Sequence, residues 1–114
     1  MASLLNQAFH NARSENRPAL LTYTVAGDNT KNRSLEILKS ISNYADICEL
    51  GFPHNTPIAD GGQIQTSAYR AIKNGIKIND VFSIAKDFKN QKKLNQLFWW
   101  VITTWSFNTM KISF

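Results

Sequence analysis

Apolar positions along the chain follow two different rhythms. Leu4, Leu5, Ala8 and Phe9 recur at helical spacing within residues 2–13, and Pro18 closes that segment. Residues 19–27, ALLTYTVAG, are apolar and β-branched without alternation, which predicts a strand covered on both faces and ended by the Gly27-Asp28-Asn29 turn. Leu35, Leu38 and Ile41 predict a helix over 32–44, with Asn32 or Ser34 as its N-cap. Residues 45–52, ADICELGF, predict a second buried strand, and PHNTPIADGG after it reads as loop. Helices are predicted over 63–75, with Gly75 at the C-terminal cap, and over 78–91, with Asn79 as the N-cap. Strands alternating with helices in this way predict a parallel α/β sheet. Such sheets carry their chemistry at the carboxyl ends of the strands.

Composition narrows the classes. A chain of 114 residues that is 43% hydrophobic has enough apolar side chain for one small domain and is not disordered in type. The net charge of +5 raises the question of nucleic acid. The positives are scattered, however, and the densest group, Lys86, Lys89, Lys92 and Lys93, is interrupted by Asp87 and reads as a solvated helix face. No aromatic-rich RNA motif or DNA-binding helix pair accompanies it, so no nucleic-acid partner is expected. The single cysteine, Cys48, excludes an intramolecular disulfide and sits in an apolar run as a core residue, which suits a reducing cytosol. The opening MASLLNQAFHNARSENR lacks a basic stretch followed by a long apolar one, so no signal peptide is expected and the location reads as cytoplasmic.

Two carboxylates stand out. Glu49 ends the apolar run of the second strand, and Asp60 lies between Ala59 and a Gly-Gly pair across a loop stiffened by Pro53 and Pro57. Carboxylates in unlike settings split acid and base roles, because burial and hydrogen bonding move their proton affinities apart. On that reading Glu49 is the acid/base, and Asp60 stays charged to grip a donor or a cation. The ordinary alternative is a Glu49 satisfied by a neighbouring lysine and an Asp60 that caps a helix. No metal site is expected.

The block ELGFP…P-I-A-D-G…IQ…A…RA…G resembles tryptophan synthase alpha chains, whose signature is an E-L-G-[apolar]-P-[FY]-S-D-P-x-A-D-G-P-x-I-Q segment followed by R-A-L and a Gly. ALLTYTVAGD is similar to that family's first strand and turn, and the resemblance covers roughly residues 5–91. It implies the N-terminal portion of a (β/α)8 TIM barrel, about two of its eight βα units. It implies a lyase of tryptophan biosynthesis that splits indole-3-glycerol phosphate into indole and glyceraldehyde 3-phosphate. Glu49 then falls on the catalytic acid/base and Asp60 on the carboxylate that binds the indole N–H. Tyr23 and Ile64 fall on positions lining the indole pocket. The loop from Pro53 to Ile58, with Thr56 and Pro57, falls where the alpha chain meets the beta chain in an alpha2beta2 tetramer. The alpha chain itself needs no cofactor; the beta chain carries pyridoxal phosphate.

The chain departs from the family pattern in places. S-D-P is Asn55-Thr56-Pro57 here, which removes a charge at the subunit contact. His54 replaces a usual aromatic and reads as a contact or solvated loop residue, while Asn29 and Gly62 replace prolines. A barrel of this kind needs about 250 residues, and its phosphate site lies in the loops after strands 7–8.

The tail LNQLFWWVITTWSFNTMKISF breaks the rhythm of the rest, with all three tryptophans between 99 and 105. Its apolar run is shorter than the ~18–20 residues of a membrane span and contains Thr103, Thr104, Ser106 and Asn108, so none is expected. The family's third strand belongs at this point. Tryptophan has one codon, TGG, so joining the last base of each codon to the first two of the next forces Val from Trp99-Trp100 and Gly from Trp100-Val101. With permissible third bases elsewhere, the segment from Asn95 reads Pro-Ile-Ile-Leu-Val-Gly-Tyr-Tyr-Asn, a family-like strand and turn. The expected organisation is therefore 1–93 as barrel and 94–114 as a frameshift-like tail. Two other readings compete with an alpha-chain fragment: a non-catalytic fragment that only contacts the beta chain, and a small basic nucleic-acid binder.

Overall fold

The computed structural model describes residues 4–55, 60–91 and 97–101, with residue 91 and residues 97–101 described as backbone only. Helix α1 (Leu4–Ser14) precedes strand β1 (Leu21–Val25), helix α2 (Lys31–Ile41) and strand β2 (Ile47–Gly51). Helices α3 (Gly62–Lys73) and α4 (Ile78–Gln91) follow, and then strand β3 (Leu97–Val101). The sheet order is β1-β2-β3, with both pairs parallel. The two apolar runs thus form adjacent parallel strands, as the alternation predicts. The segment that breaks the sequence rhythm adds β3 on the far side of β2.

The helix boundaries follow from local chemistry. Gly27 and Asn29 both take positive φ in the turn after β1, +79° and +73°, where only glycine and asparagine sit cheaply. A side chain at Gly27 would also collide with Ile76. Thr30, rather than Asn32 or Ser34, is the N-cap of α2, because its extended backbone lets Oγ1 accept from the Arg33 N–H at 3.1 Å. Ser34 is buried one turn on, and its Oγ accepts from the Gly27 N–H at 3.0 Å, tying the turn to the helix. Asn79 does not cap α4 either. Asp80, three residues after Lys77, accepts from the Lys77 N–H at 2.9 Å, the reciprocal half of a capping box. Lys31 Nζ binds the other Asp80 oxygen at 2.6 Å. That ion pair, then the Lys77 amide, lowers the Asp80 carboxyl below its ordinary value.

Helix α3 ends at the expected glycine turn, but its cap falls one position earlier than Gly75. Asn74 is its C-cap, and Gly75 follows at φ +81°. The Gly75 N–H donates to the Ile72 carbonyl and the Ile76 N–H to the Ala71 carbonyl, the paired bonds of a Schellman motif. Ile76, just past the turn, packs against apolar clusters on both faces of the sheet.

The pleat divides the core. Cys48 and Leu50 point to one face of β2 and pack with Leu38 of α2 and with Val81, Ile84 and Phe88 of α4. Tyr23 and Val25 of β1 point to the other face, where Ile64, Ala68 and Ala71 of α3 cover them. That cover is partial, and Leu21, on the same face, stays 48% exposed. Cys48 is a buried free thiol, as expected.

Arg17 holds the chain entering β1 to the start of β2. Its guanidinium donates to both Asp46 oxygens at 2.8 Å, and the Leu20 N–H donates to Asp46 Oδ2 at 2.8 Å. Arg17 first, and the Leu20 amide second, pull the Asp46 carboxyl down to about 2. A carboxyl depressed on folding stabilises the fold above its unfolded value of ~3.9 and loses that contribution as pH falls through the folded value. Asp46→Asn is therefore expected to flatten the loss of stability between pH ~4 and ~2. Acid titration followed by circular dichroism checks this, and an unchanged acid limb would contradict it.

Candidate functional site

Glu49 lies at the centre of β2 rather than at its end. Pairing carries the strand two residues further, with Leu50 opposite Thr24 and Gly51 opposite Val25. Its register partner is Tyr23, so the two share the face opposite Cys48 and Leu50. Glu49 is half-buried. Its carboxylate has no hydrogen-bond or ion-pair partner among the described residues, so the neighbouring-lysine alternative is not what the structure describes. Gly51 serves the same face. The Tyr23 hydroxyl end lies where a Cβ at Gly51 would stand, so the absence of a side chain there makes room for the phenol.

The loop after β2 begins on a fixed stem. Phe52 meets Phe82 of α4 edge-on, with ring centroids 5.6 Å apart and planes at 69°. Pro53 and His54 are half-buried. Thr56 and Pro57, the expected partner contacts, lie outside the described residues, as does Ile58. The chain re-enters at Asp60, immediately before α3. Asp60 does not cap that helix: Gly61 is the N-cap and offers no side chain. Instead the Asp60 carbonyl accepts from Gln65 Nε2 at 2.7 Å, which leaves the carboxylate free of capping duty. His54 Nε2 stands 3.8 Å from Asp60 Oδ2.

Three pairings therefore come out of the expected set. Tyr23 lies beside Glu49, Tyr23 and Ile64 belong to one apolar cluster on α3, and Asp60 faces His54. A cavity of about 470 Å³ lined by Gly27, Thr30, Lys31 and Asn74 among others includes none of the candidate residues. Among the described residues no three His, Cys, Asp or Glu side chains gather as a metal site would require, and no helix is long and apolar enough to cross a membrane.

One cluster was not anticipated from the sequence. Asp28 accepts from Arg70 Nε at 2.7 Å and Nη2 at 2.8 Å, and from Ser67 Oγ at 2.6 Å. Arg70 is the main cause that lowers the Asp28 carboxyl, opposed by burial and helped by Ser67. The clamp ties the turn after β1 to α3, and so holds the helix that carries Ile64 over Tyr23. The available signal was the i, i+3 spacing of Ser67 and Arg70, which puts both on one helix face.

Two crossovers between neighbouring parallel strands define the opening of a βα-repeat fold, a class whose ligand sites lie at the carboxyl ends of the strands. Residues 9–100 match the family model of the tryptophan synthase alpha chain. The chain is 76% identical over 91 residues to the tryptophan synthase alpha chain of Pelagibacter ubique, covering 80% of this chain and 34% of that one. Its fold is similar to the tryptophan synthase complex from Pyrococcus furiosus, with a TM-score of 0.67 at 40% identity over 72% of this chain and 33% of that one. A solved structure of the a2b2 complex from the same organism gives 0.63 at 44% identity, over 65% and 32%. This chain belongs to the tryptophan synthase alpha chain family. It spans about a third of the length of the curated relatives it matches.

Proposed function

We propose that residues 1–93 are the opening part of an alpha chain that cleaves indole-3-glycerol phosphate to indole and glyceraldehyde 3-phosphate. In this reading Glu49 moves the proton at indole C3, and Asp60 accepts from the indole N–H and steadies the cation that forms as the bond breaks. Tyr23 and Ile64 supply the flat apolar walls that an indole needs. The observation that carries the reading is the alignment of Glu49 with Tyr23 on one sheet face, under the helix that brings Ile64 to the same ring. An unpaired carboxylate beside an aromatic wall suits proton transfer to a bound heteroaromatic.

The partner in this reading is a beta chain that takes the indole and holds pyridoxal phosphate, met through the loop at Pro53, Thr56 and Pro57, in a cytoplasmic alpha2beta2 assembly. The similar Pyrococcus furiosus structures are of a tryptophan synthase complex and of the tryptophan synthase a2b2 complex. This segment itself is assigned no cofactor. Residues 94–114 are assigned to a shifted reading frame. Trp99 and Trp100, forced to Val and Gly in the other frame, motivate that assignment, and nucleotide sequence without a family-like strand in that frame would end it.

The test of the site uses an alpha chain that begins with these 93 residues and completes the barrel. A hydrogen bond to a charged group contributes about 1.5–3 kcal/mol. Asp60→Asn is accordingly expected to lower kcat/KM for indole release roughly 10- to 100-fold. Activity equal to the parent's would remove Asp60 from the site.

A further inference from the structure

We propose that His54 is a positioning residue, which fixes the Asp60 carboxylate and thereby the direction from which it receives a ligand's N–H. The proposal rests on the assignment of Asp60 to the indole nitrogen. Both stems are held. Phe52, two residues before His54, is fixed edge-on to Phe82, and Pro53 restricts the backbone between them. On the other side Gln65 binds the Asp60 carbonyl. The two side chains converge with Nε2 3.8 Å from Oδ2, at exposures of only 18% and 22%. That separation is longer than a hydrogen bond, and polar contacts in ligand-free sites are often long and shorten when the ligand binds.

The other ring nitrogen decides where the proton sits. His54 Nδ1 is enclosed and has no hydrogen-bond partner among the described residues. The Asp60 carboxylate is an acceptor and faces Nε2, whereas no described acceptor faces Nδ1, so the ring proton belongs on Nε2. A phenyl ring at this position would fill similar space and offer no N–H. With Oδ2 facing His54, Oδ1 is the oxygen left to receive a donor.

The chain contains two histidines, and His10 on α1 is exposed, so it serves as an internal control. Solid-state 15N and 13C spectra of the sedimented chain, labelled with 15N at histidine and 13C at aspartate, read both rings and the Asp60 carboxyl whatever the assembly size. The expected result is an averaged pattern for His10, and for His54 a single Nε2–H tautomer with a dipolar coupling to the Asp60 Cγ. Asp60→Asn should return the His54 ring to the His10 pattern. His54→Phe should broaden the Asp60 carboxyl signal, and His54→Gln, which keeps an N–H donor, should restore it. Two indistinguishable histidines, an Nδ1–H tautomer at His54, or an Asp60 signal indifferent to His54→Phe each overturn the proposal. In an alpha chain that completes the barrel from these residues, added indole separates the two assignments. An intact His54–Asp60 coupling that ignores indole supports positioning by His54 and overturns Asp60 as the indole acceptor.

Discussion

Purified alone, the 114-residue chain is expected to release no indole from indole-3-glycerol phosphate. The described sheet has three strands, β1, β2 and β3, whereas the barrel of this fold closes with eight. Closure supplies two things that the described residues do not. One is the phosphate grip formed by the loops after strands 7–8. The other is the far wall that, on the proposed assignment, holds the indole against Glu49. Holding reacting groups in position contributes about 7–11 kcal/mol to such a barrier, and neither carboxylate replaces it. The same geometry predicts self-association. Among the described residues β1 and β3 are open sheet edges, and Leu20 and Leu21 are about half exposed. Gel filtration is expected to show assemblies larger than one chain, and a sensitive indole assay to stay at the uncatalysed rate. Indole release above that rate from the homogeneous chain would refute the expectation.

The strands and helices were legible because their apolar side chains report burial directly. Leu38, Cys48, Leu50 and Phe88, each in an apolar or periodic run, are all in the core. The caps were less legible. Thr30, Asn32 and Ser34 are all acceptable N-cap types, and the choice among them depends on which backbone is extended, a property set by the positive-φ turn at Asn29. Asp80 outcompeted Asn79 for a related reason: it both accepts from the Lys77 amide and meets Lys31, a residue on a different helix. Long-range polar pairs have no sequence period at all. The Asp28–Arg70 and Arg17–Asp46 pairs are separated by 42 and 29 positions, and only the fold makes them neighbours. At the site, the alignment of Tyr23 with Glu49 required the strand register, and the His54–Asp60 pairing required both ends of the loop. The resemblance named the residues; the register and the helix contacts describe how they sit relative to one another.

Glu49→Gln, in an alpha chain that completes the barrel from these residues, is expected to lose indole release by ~10²–10⁴-fold while keeping its stability. The substitution preserves volume and hydrogen-bonding shape but removes the group proposed to give and take a proton. Mutations at a proposed catalytic acid often confuse lost chemistry with lost folding, and this position separates them. Glu49 makes no hydrogen bond or ion pair to a described residue, and its oxygens are not among the enclosed polar atoms, so the amide breaks no network and strands no partner. A change of about 0.5 kcal/mol or less in unfolding free energy follows for a site without such partners. The apolar face beside it does not change, because Cys48 and Leu50 carry the packing on the opposite side of the strand. Denaturant unfolding and steady-state indole release, measured on one preparation, check both halves. A stable variant with parental turnover would remove Glu49 from the proton path. A variant that loses turnover only in proportion to its loss of folded protein would make Glu49 a structural residue of β2. Glu49→Asp, with its carboxylate one methylene further from the substrate, should also fail to restore the rate, since a proton donor about 1 Å out of place forfeits ~10²-fold.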